Sequence, residues 1–272
     1  LGNLWTAIPV FDSTASGTEP AAEGEPAMLL FDDSSDPWRS HPLPPNLEGS
    51  GIVQGGVVFN DLLYLALADA EGGFQLWKTD PRTESDWACV LDQGAGRYVR
   101  NQGIWQMALF QDALYLSTGP ARGTNYGPRD GAEIIRLSAD DQWELIVGEP
   151  RFSTLGLQVP YAVMGPGFDE DGQVIIPGLA SFEGRLWALS QIPPGEGTAA
   201  DASDKTWRMD LWSSANGEDW EKEETAGEVL DNVCGDWPRS LCPVGPGLLV
   251  TGLFSAGDSG QPELRLLKTA GK

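Results

Sequence analysis

Phe59-Asn-Asp-Leu-Leu-Tyr-Leu-Ala-Leu67, followed by Phe74-Gln-Leu-Trp-Lys-Thr79 and Asp86-Trp-Ala-Cys-Val-Leu91, decides how this chain is read. Asn60-Asp61 between two apolar runs is a two-residue hairpin signal, because Asn and Asp tolerate the left-handed backbone such turns require. A polar turn at Thr79-Asp80 then leads to a strand opened by Trp87. The same phrase returns along the chain, and recurrence at this scale marks a repeat protein.

With the strands of one unit labelled a to d, the second unit predicts Gly56–Phe59, Leu62–Leu67, Phe74–Lys78 and Trp87–Leu91. The third predicts Gln106–Phe110, Ala113–Ser117, Glu133–Leu137 and Trp143–Val147. The fourth predicts Gly178–Phe182, Arg185–Ser190, Arg208–Trp212 and Trp220–Glu223. The first unit begins at b, with Leu4–Val10, Ala27–Phe31 and Trp38–Ser40; the fifth stops at c, with Leu241–Val244, Leu248–Phe254 and Glu263–Leu267. The b-strand aromatics Trp5, Tyr64, Tyr115 and Trp187 are spaced by 59, 51 and 72 residues, the length of four-stranded propeller blades with insertions. A two-sheet sandwich also uses short strands, but it gives no reason for the Trp opening strand d to return at positions 38, 87, 143 and 220. The expectation is an all-β propeller of five recognisable blade repeats, one domain over residues 1–272. Its incomplete end units leave three arrangements open: closure with partial blades, membership of a larger ring, or strand exchange with a partner chain across an open edge.

The c–d turns Thr79-Asp80, Ser138-Ala-Asp-Asp141 and Ser214-Ala-Asn-Gly217 carry the residues that stabilise tight turns through their own backbone amides. The series Gly131-Ala-Glu-Ile-Ile-Arg-Leu-Ser-Ala-Asp-Asp-Gln-Trp-Glu-Leu-Ile-Val147 resembles bacterial propeller repeats of the form "GAEIWRS-DG-W-V". Gly94-Ala-Gly-Arg-Tyr-Val-Arg-Asn101, and Val147-Gly-Glu-Pro-Arg151 with Gly165-Pro-Gly-Phe168, resemble the same group. The turns resemble a degenerate Asp-box, the structural turn of sialidase-type propellers. The likeness covers most of residues 52–225 and implies architecture; it carries over no catalytic residue.

The 34 Gly and 20 Pro fall between apolar runs, as in turn-rich β proteins, and 41% hydrophobic content supplies a core. A net charge of −23 excludes nucleic acid, whose phosphates need clustered Lys and Arg, and disfavours anionic membrane surfaces. No apolar run approaches the roughly 20 residues that span a bilayer, so membrane insertion is not expected. The chain begins at Leu1 with no charged-then-apolar leader, which fits either a mature secreted or extracellular acidic protein or an excised segment. No cofactor is evident beyond Ca²⁺, the cation that suits carboxylate oxygens. Cys234 and Cys242 read either as a bridge or as two buried thiols, and Cys89 as a small core residue. With His41 the one histidine, Ser–His–Asp catalysis and a two-His zinc centre are poor fits.

The a–b and c–d turns are short, whereas the b–c and d–a connections are long and irregular: 12–26, 119–131, 191–207, 41–55, 92–105, 148–177 and 224–240. A meander places all of these on one face of the ring, where loops on a rigid scaffold carry function. Six of the 12 Arg fall in them: Arg97, Arg100, Arg122, Arg129, Arg151 and Arg239. Their forks suit a carboxylate, sulfate or phosphate; alternatively each pins its loop to a neighbouring acid. Tyr98, Trp105, Tyr126, Tyr161, Trp207 and Trp237 are interleaved with them and suit either a sugar face or loop packing. The expected ligand-binding set is therefore Arg97, Arg100, Asn101, Trp105, Tyr126, Arg129, Arg151, Tyr161, Trp207 and Trp237, with Arg100, Arg129 and Arg151 converging on the channel mouth. An enzyme on this face would rely on paired carboxylates drawn from Asp130, Asp169, Asp171, Asp201, Asp204 and Asp236, and Asp169 with Asp171 could begin a Ca²⁺ loop. The leading expectation is a binding propeller for a small anionic or carbohydrate-like ligand. The alternatives are a channel-mouth hydrolase or lyase, Ca²⁺-supported or not, and a protein-interaction scaffold.

Overall fold

A computed structural model describes residues 8–9, 27–31, 38–45, 52–69, 71–83, 86–120, 131–153, 156–159, 162–170, 175–192, 208–223, 237–245, 247–253 and 265–267. Its strands form five antiparallel meanders in chain order. Blade 1 is β1 (Ile8–Pro9), β2 (Ala27–Phe31) and β3 (Trp38–Pro42). Blade 2 is β4 (Ile52–Phe59), β5 (Leu62–Ala68), β6 (Gln75–Thr79) and β7 (Ala88–Leu91). Blade 3 is β8 (Gly103–Phe110), β9 (Ala113–Gly119), β10 (Ile134–Leu137) and β11 (Trp143–Val147). The ribbon β12 (Arg151–Ser153) and β13 (Gly156–Val159) is inserted before blade 4, which is β14 (Ile175–Phe182), β15 (Arg185–Ile192), β16 (Arg208–Ser214) and β17 (Glu221–Lys222). Blade 5 is β18 (Trp237–Val244), β19 (Gly247–Leu253) and β20 (Arg265–Leu267). The protein is an all-β propeller of five blade repeats.

Blades 2, 3 and 4 bury both faces, one against each neighbour. On β5, Leu63, Leu65 and Leu67 join Trp77, Trp87 and Leu43 between blades 1 and 2. The alternate residues Tyr64 and Ala66 join Leu114, Leu116 and Ile135 between blades 2 and 3. Further clusters fill the interface of blades 3 and 4 and that of blades 4 and 5. With apolar side chains on both faces, the strands lose the polar–apolar alternation of a half-exposed sheet. In the interface of blades 3 and 4, Phe168 stacks on Trp212, with ring centroids 4.4 Å apart, and meets Trp220 edge-on.

The a–b hairpins follow from their turn residues. Asn60 and Asp61 have φ of 50° and 63°, Gln111 and Asp112 have 48° and 60°, and Glu183 and Gly184 have 48° and 71°. Two successive positive φ values give the turn whose twist matches antiparallel strands. The c–d turns carry the expected amide contacts: Arg82 N donates to Asp80 Oδ1, and Glu218 N and Asp219 N donate to Asn216 Oδ1.

The innermost strands begin earlier than expected, at residues 52, 103, 175 and 237, so four long connections are shorter than the sequence suggested. Each innermost strand has a register shift near its start: Val53/Gly55, Ile104/Gln106, Ile175/Gly178 and Pro238/Ser240. A bulge inserts a residue and breaks the alternation that announces a strand. Trp105, Trp237 and Arg239 are therefore strand residues rather than loop residues. Glutamines tie these strands at the centre. Ile104 N donates to Gln54 Oε1 at 2.7 Å. Leu179 N and Leu241 N donate to Gln106 Oε1 at 3.0 and 3.1 Å, and Gln106 Nε2 donates to Leu241 O at 2.9 Å, joining blades 3, 4 and 5 through one side chain.

Two cysteine expectations are corrected. Cys89 is exposed on β7, the outer strand of its blade, rather than in the core. Cys242 is an exposed free thiol, so neither a bridge to Cys234 nor a buried thiol applies; Cys234 itself lies outside the described residues. Among the described residues no helix is long and apolar enough to cross a membrane.

Candidate functional site

Glu133 lies one residue before β10, within Gly131-Ala-Glu-Ile-Ile135, and none of it is exposed. Antiparallel strands bring the start of β8, the end of β9, the start of β10 and the end of β11 to the same end of blade 3. That end gathers Asn101, Thr118 and Glu149 around the buried carboxylate of Glu133. Arg151 on β12 donates bidentately to it, Nη1 to Oε1 at 2.7 Å and Nη2 to Oε2 at 2.6 Å. Asn101 Nδ2 donates to Oε2 at 2.7 Å and Glu149 N to Oε1 at 3.0 Å. Arg97 Nη1 stands 3.6 Å from Oε1. A carboxylate has about four acceptor positions, and all are used here. Gly148 permits this packing: a Cβ there would lie 2.5 Å from Glu133 Oε1.

The segment facing Arg151 is a turn of left-handed backbone. Gln93, Gly94, Ala95 and Gly96 have φ of 51°, 58°, 53° and 82°, and Tyr98 follows at 53°. For non-glycine residues this conformation costs about 1–2 kcal/mol each, so it persists where surrounding contacts impose it. Those contacts are present. Gly94 N donates to Phe74 O at 3.0 Å, Asn101 Nδ2 to Gly94 O at 3.2 Å, and Arg151 Nε to Ala95 O at 3.1 Å. Ala95 is buried in the core of blades 2 and 3, and Arg97 Nη1 donates to Gly131 O at 2.9 Å.

Between this turn and β12 lies a cleft of about 310 Å³. Gly96, Arg97, Tyr98 and Arg100 line one wall, and Glu149, Pro150, Arg151 and Phe152 the other. Arg97 and Arg151 are buried in its floor. Tyr98 and Phe152 are 54% and 63% exposed at its rim, unusual for rings of their size. The Glu149 carboxylate lies 3.7 Å from Arg97 Nη2 and 3.8 Å from Arg100 Nη1. Three guanidinium groups, two carboxylates and two exposed rings give a surface able to hold an anion and to stack on a flat apolar face.

Of the expected binding set, Arg97, Arg100 and Arg151 meet in this cleft. Asn101 is fully buried and braces Glu133, with its Oδ1 accepting from Thr118 Oγ1 at 3.0 Å, so it is a support rather than a contact residue. Trp105 sits in the bulge of β8 and is not part of the cleft lining; Trp237 belongs to β18. Tyr126, Arg129, Tyr161, Trp207 and the acids Asp130, Asp171, Asp201, Asp204 and Asp236 lie outside the described residues; Arg97, Arg100 and Arg151 line one cleft, and no described residue ties that cleft to the channel mouth. Asp169 is an exposed turn residue whose Oδ1 accepts from Gly165 N at 2.9 Å. Among the described residues no three His, Cys, Asp or Glu side chains cluster in a way that could hold a metal ion. Glu133, Glu149 and Phe152 were not in the expected set. The available signal was the acid inside Gly-Ala-Glu-Ile-Ile, where the corresponding residue of blade 2 is Gln75.

No protein-family model matches the sequence, and no curated protein matches it. Among solved structures, the chain is similar to a single-residue variant of B. megaterium levansucrase, with 11% identity over 90% of this chain and 74% of that one, TM-score 0.49. It is also similar to the Bombyx mori GH32 beta-fructofuranosidase BmSUC1 (14% identity, 92% of this chain, 55% of that one, TM-score 0.45). A third is a glycoside hydrolase family 43 arabinoxylan arabinofuranohydrolase from Bacillus subtilis (14% identity, 74% and 41%, TM-score 0.40). At such identities and scores no residue role passes from them to this chain.

Proposed function

We propose that this propeller is a ligand-binding protein whose cleft at the long-loop end of blade 3 takes a small anionic or carbohydrate-like ligand. The observation that carries the reading is the joining of Arg97, Arg100 and Arg151 with the exposed rings of Tyr98 and Phe152 in one cleft. Guanidinium forks select an anion or a hydroxyl pair, and rings at the rim offer a face for a sugar's C–H surface. Glu133, buried with its acceptor positions filled, is not available for proton transfer, so a hydrolase reading of this cleft would have to rest on the partly exposed Glu149.

Titration calorimetry against a panel of neutral and acidic mono- and disaccharides tests the proposal. Saturable binding by the native protein should weaken at least about 10-fold in Arg100→Ala and in Tyr98→Ala, both exposed positions whose replacement spares the buried network. Unchanged affinity in both variants places the ligand elsewhere and ends the proposal.

A further inference from the structure

We propose that the short-turn mouth of the central channel is a docking site for a basic segment of a partner polypeptide. The anchor is a Lys or Arg whose aliphatic stem packs on Val58 and Leu109 and whose charged head meets Asp112. This mouth lies on the other face of the ring from the cleft, and its role does not depend on the cleft.

A cavity of about 350 Å³ opens at this end, lined by Val58, Phe59 and Asn60 of blade 2, by the blade 3 hairpin from Leu109 to Ala113, and by Ser181 of blade 4. Blades 2 and 4 are not neighbours, so a cavity touching the innermost strands of blades 2, 3 and 4 lies at the axis of the ring. Hairpin register identifies its wall. Val58, Leu109, Ser181 and Pro243 each stand opposite the second residue of the strand that follows. Three of these four places are apolar, and Leu109 is 43% exposed between the buried Ala108 and Phe110. Three residues further along β8 toward the interior, Gln106 reaches Leu179 and Leu241, so a bridge between blades 3 and 5 crosses the way inward.

The rim around this wall is acidic. The hairpin tips carry Asp61, Asp112 and Glu183, all at positive φ. The described cations of this end are engaged away from the mouth: Lys78 with Asp141, Arg136 with Glu144 and Glu218, and Arg185 with Ser213 and Glu221. Arg82 pairs with Asp80 and faces Asp61. Among the described residues, the carboxylates of Asp112 and Glu183 have no hydrogen bond and no ion pair. Charge complementarity therefore names the occupant. One exposed ion pair contributes little, so a small lone cation gains too little here. The acids stand on separate hairpins around an apolar centre. A polypeptide reaches several of them at once and buries a long Lys or Arg stem in the middle. The net charge of −23 draws such a segment in.

Fluorescence anisotropy with labelled octalysine tests this at physiological salt, where distant charges are screened. Native protein is compared with Asp112→Asn, Leu109→Ser and Glu71→Gln, the last removing one charge at the long-loop end. All three positions are exposed, and Asn accepts the positive φ at 112, so the melting temperatures should match that of the native protein. Binding should weaken about 3- to 5-fold in Asp112→Asn and in Leu109→Ser and stay unchanged in Glu71→Gln, and spermine should compete only at about 10-fold higher charge concentration or above. Equal losses in Asp112→Asn and Glu71→Gln, with Leu109→Ser unaffected, reveal attraction to an acidic chain in general and overturn the proposal. Spermine binding as tightly as octalysine, with the same response to the variants, assigns the pocket to a free polyamine and overturns it too. Absence of saturable octalysine binding does the same.

Discussion

At the short-turn end, Lys78 on β6 pairs with Asp141 in the c–d turn of blade 3, and Arg136 on β10 pairs with Glu218 in the c–d turn of blade 4. At the long-loop end, Arg151 pairs with Glu133 inside the wall of blade 3. The first two pairs occupy equivalent places, Lys78 opposite Tyr64 and Arg136 opposite Tyr115, and latch each blade to its successor. Their side chains are 23–46% exposed, whereas those of Arg151 and Glu133 are 9% and 0% exposed. The same ion-pair chemistry therefore does opposite jobs. In partial contact with water it repeats and contributes little; out of water it occurs, among the described residues, at one place and fixes the shape of a cleft.

The sharpest way to break this contrast is Glu133→Ala. It leaves Arg151 buried without its carboxylate and removes partners of Asn101 and Glu149 N, and breaking a buried pair in this way costs about 3–5 kcal/mol. Urea unfolding followed by Trp fluorescence should show that loss, and amide exchange at residues 93–101 should quicken, since the left-handed turn hangs on the same network. A loss below about 1 kcal/mol would mean that the buried pair is no more important than the latches.

The difference also explains what was legible in the sequence. Hairpins such as Asn60-Asp61 and Gln111-Asp112 have local chemistry, and Tyr64 and Tyr115 recur because each blade solves the same packing problem; both could be read directly. The inner strand starts could not, because a bulge in each broke the alternation at Val53, Ile104, Ile175 and Pro238. Arg97, Arg100 and Arg151 stood out as rare cations in an acidic chain, and the structure joins them. Their counter-charge was hidden: Glu133 looks like any strand residue until the fold brings Asn101, from 32 positions earlier, against it. Asn101 was likewise selected for its residue type, which cannot reveal that it points inward.

A smaller effect, and one with a pH signature, belongs to Tyr64. Its hydroxyl donates to Asp141 Oδ1 at 3.0 Å, and burial, followed by that bond and the negative charge, raises its pKa well above the ordinary tyrosine value. A folded-state pKa above the unfolded one means that the neutral hydroxyl stabilises the fold. That contribution is complete below the unfolded value of about 10 and is lost as pH rises toward the folded one. Tyr64→Phe should therefore cost about 1–2 kcal/mol at neutral pH, as for a bond to a charged acceptor. The gap between native and variant unfolding free energies should stay level from pH 6 to about 9 and narrow above about pH 10. A gap that widens in alkali would reverse the sign assigned to this latch.

The smallest effect tests whether the latches are as weak as their exposure implies. Glu218→Ala removes one partner of Arg136, which retains Glu144 on the neighbouring strand and so is not left bare. With the guanidinium still paired and solvated, the loss should be about 0.2–1 kcal/mol, and 1 M salt, where the screening length is about 3 Å, should abolish most of it. Glu133→Ala in the same salt should keep nearly all of its destabilisation, because ions do not enter the interior of blade 3. If the two variants respond alike to salt, the division between an exposed, repeated end and a buried, singular one fails. The cleft would then be held by its loops' packing rather than by its charges.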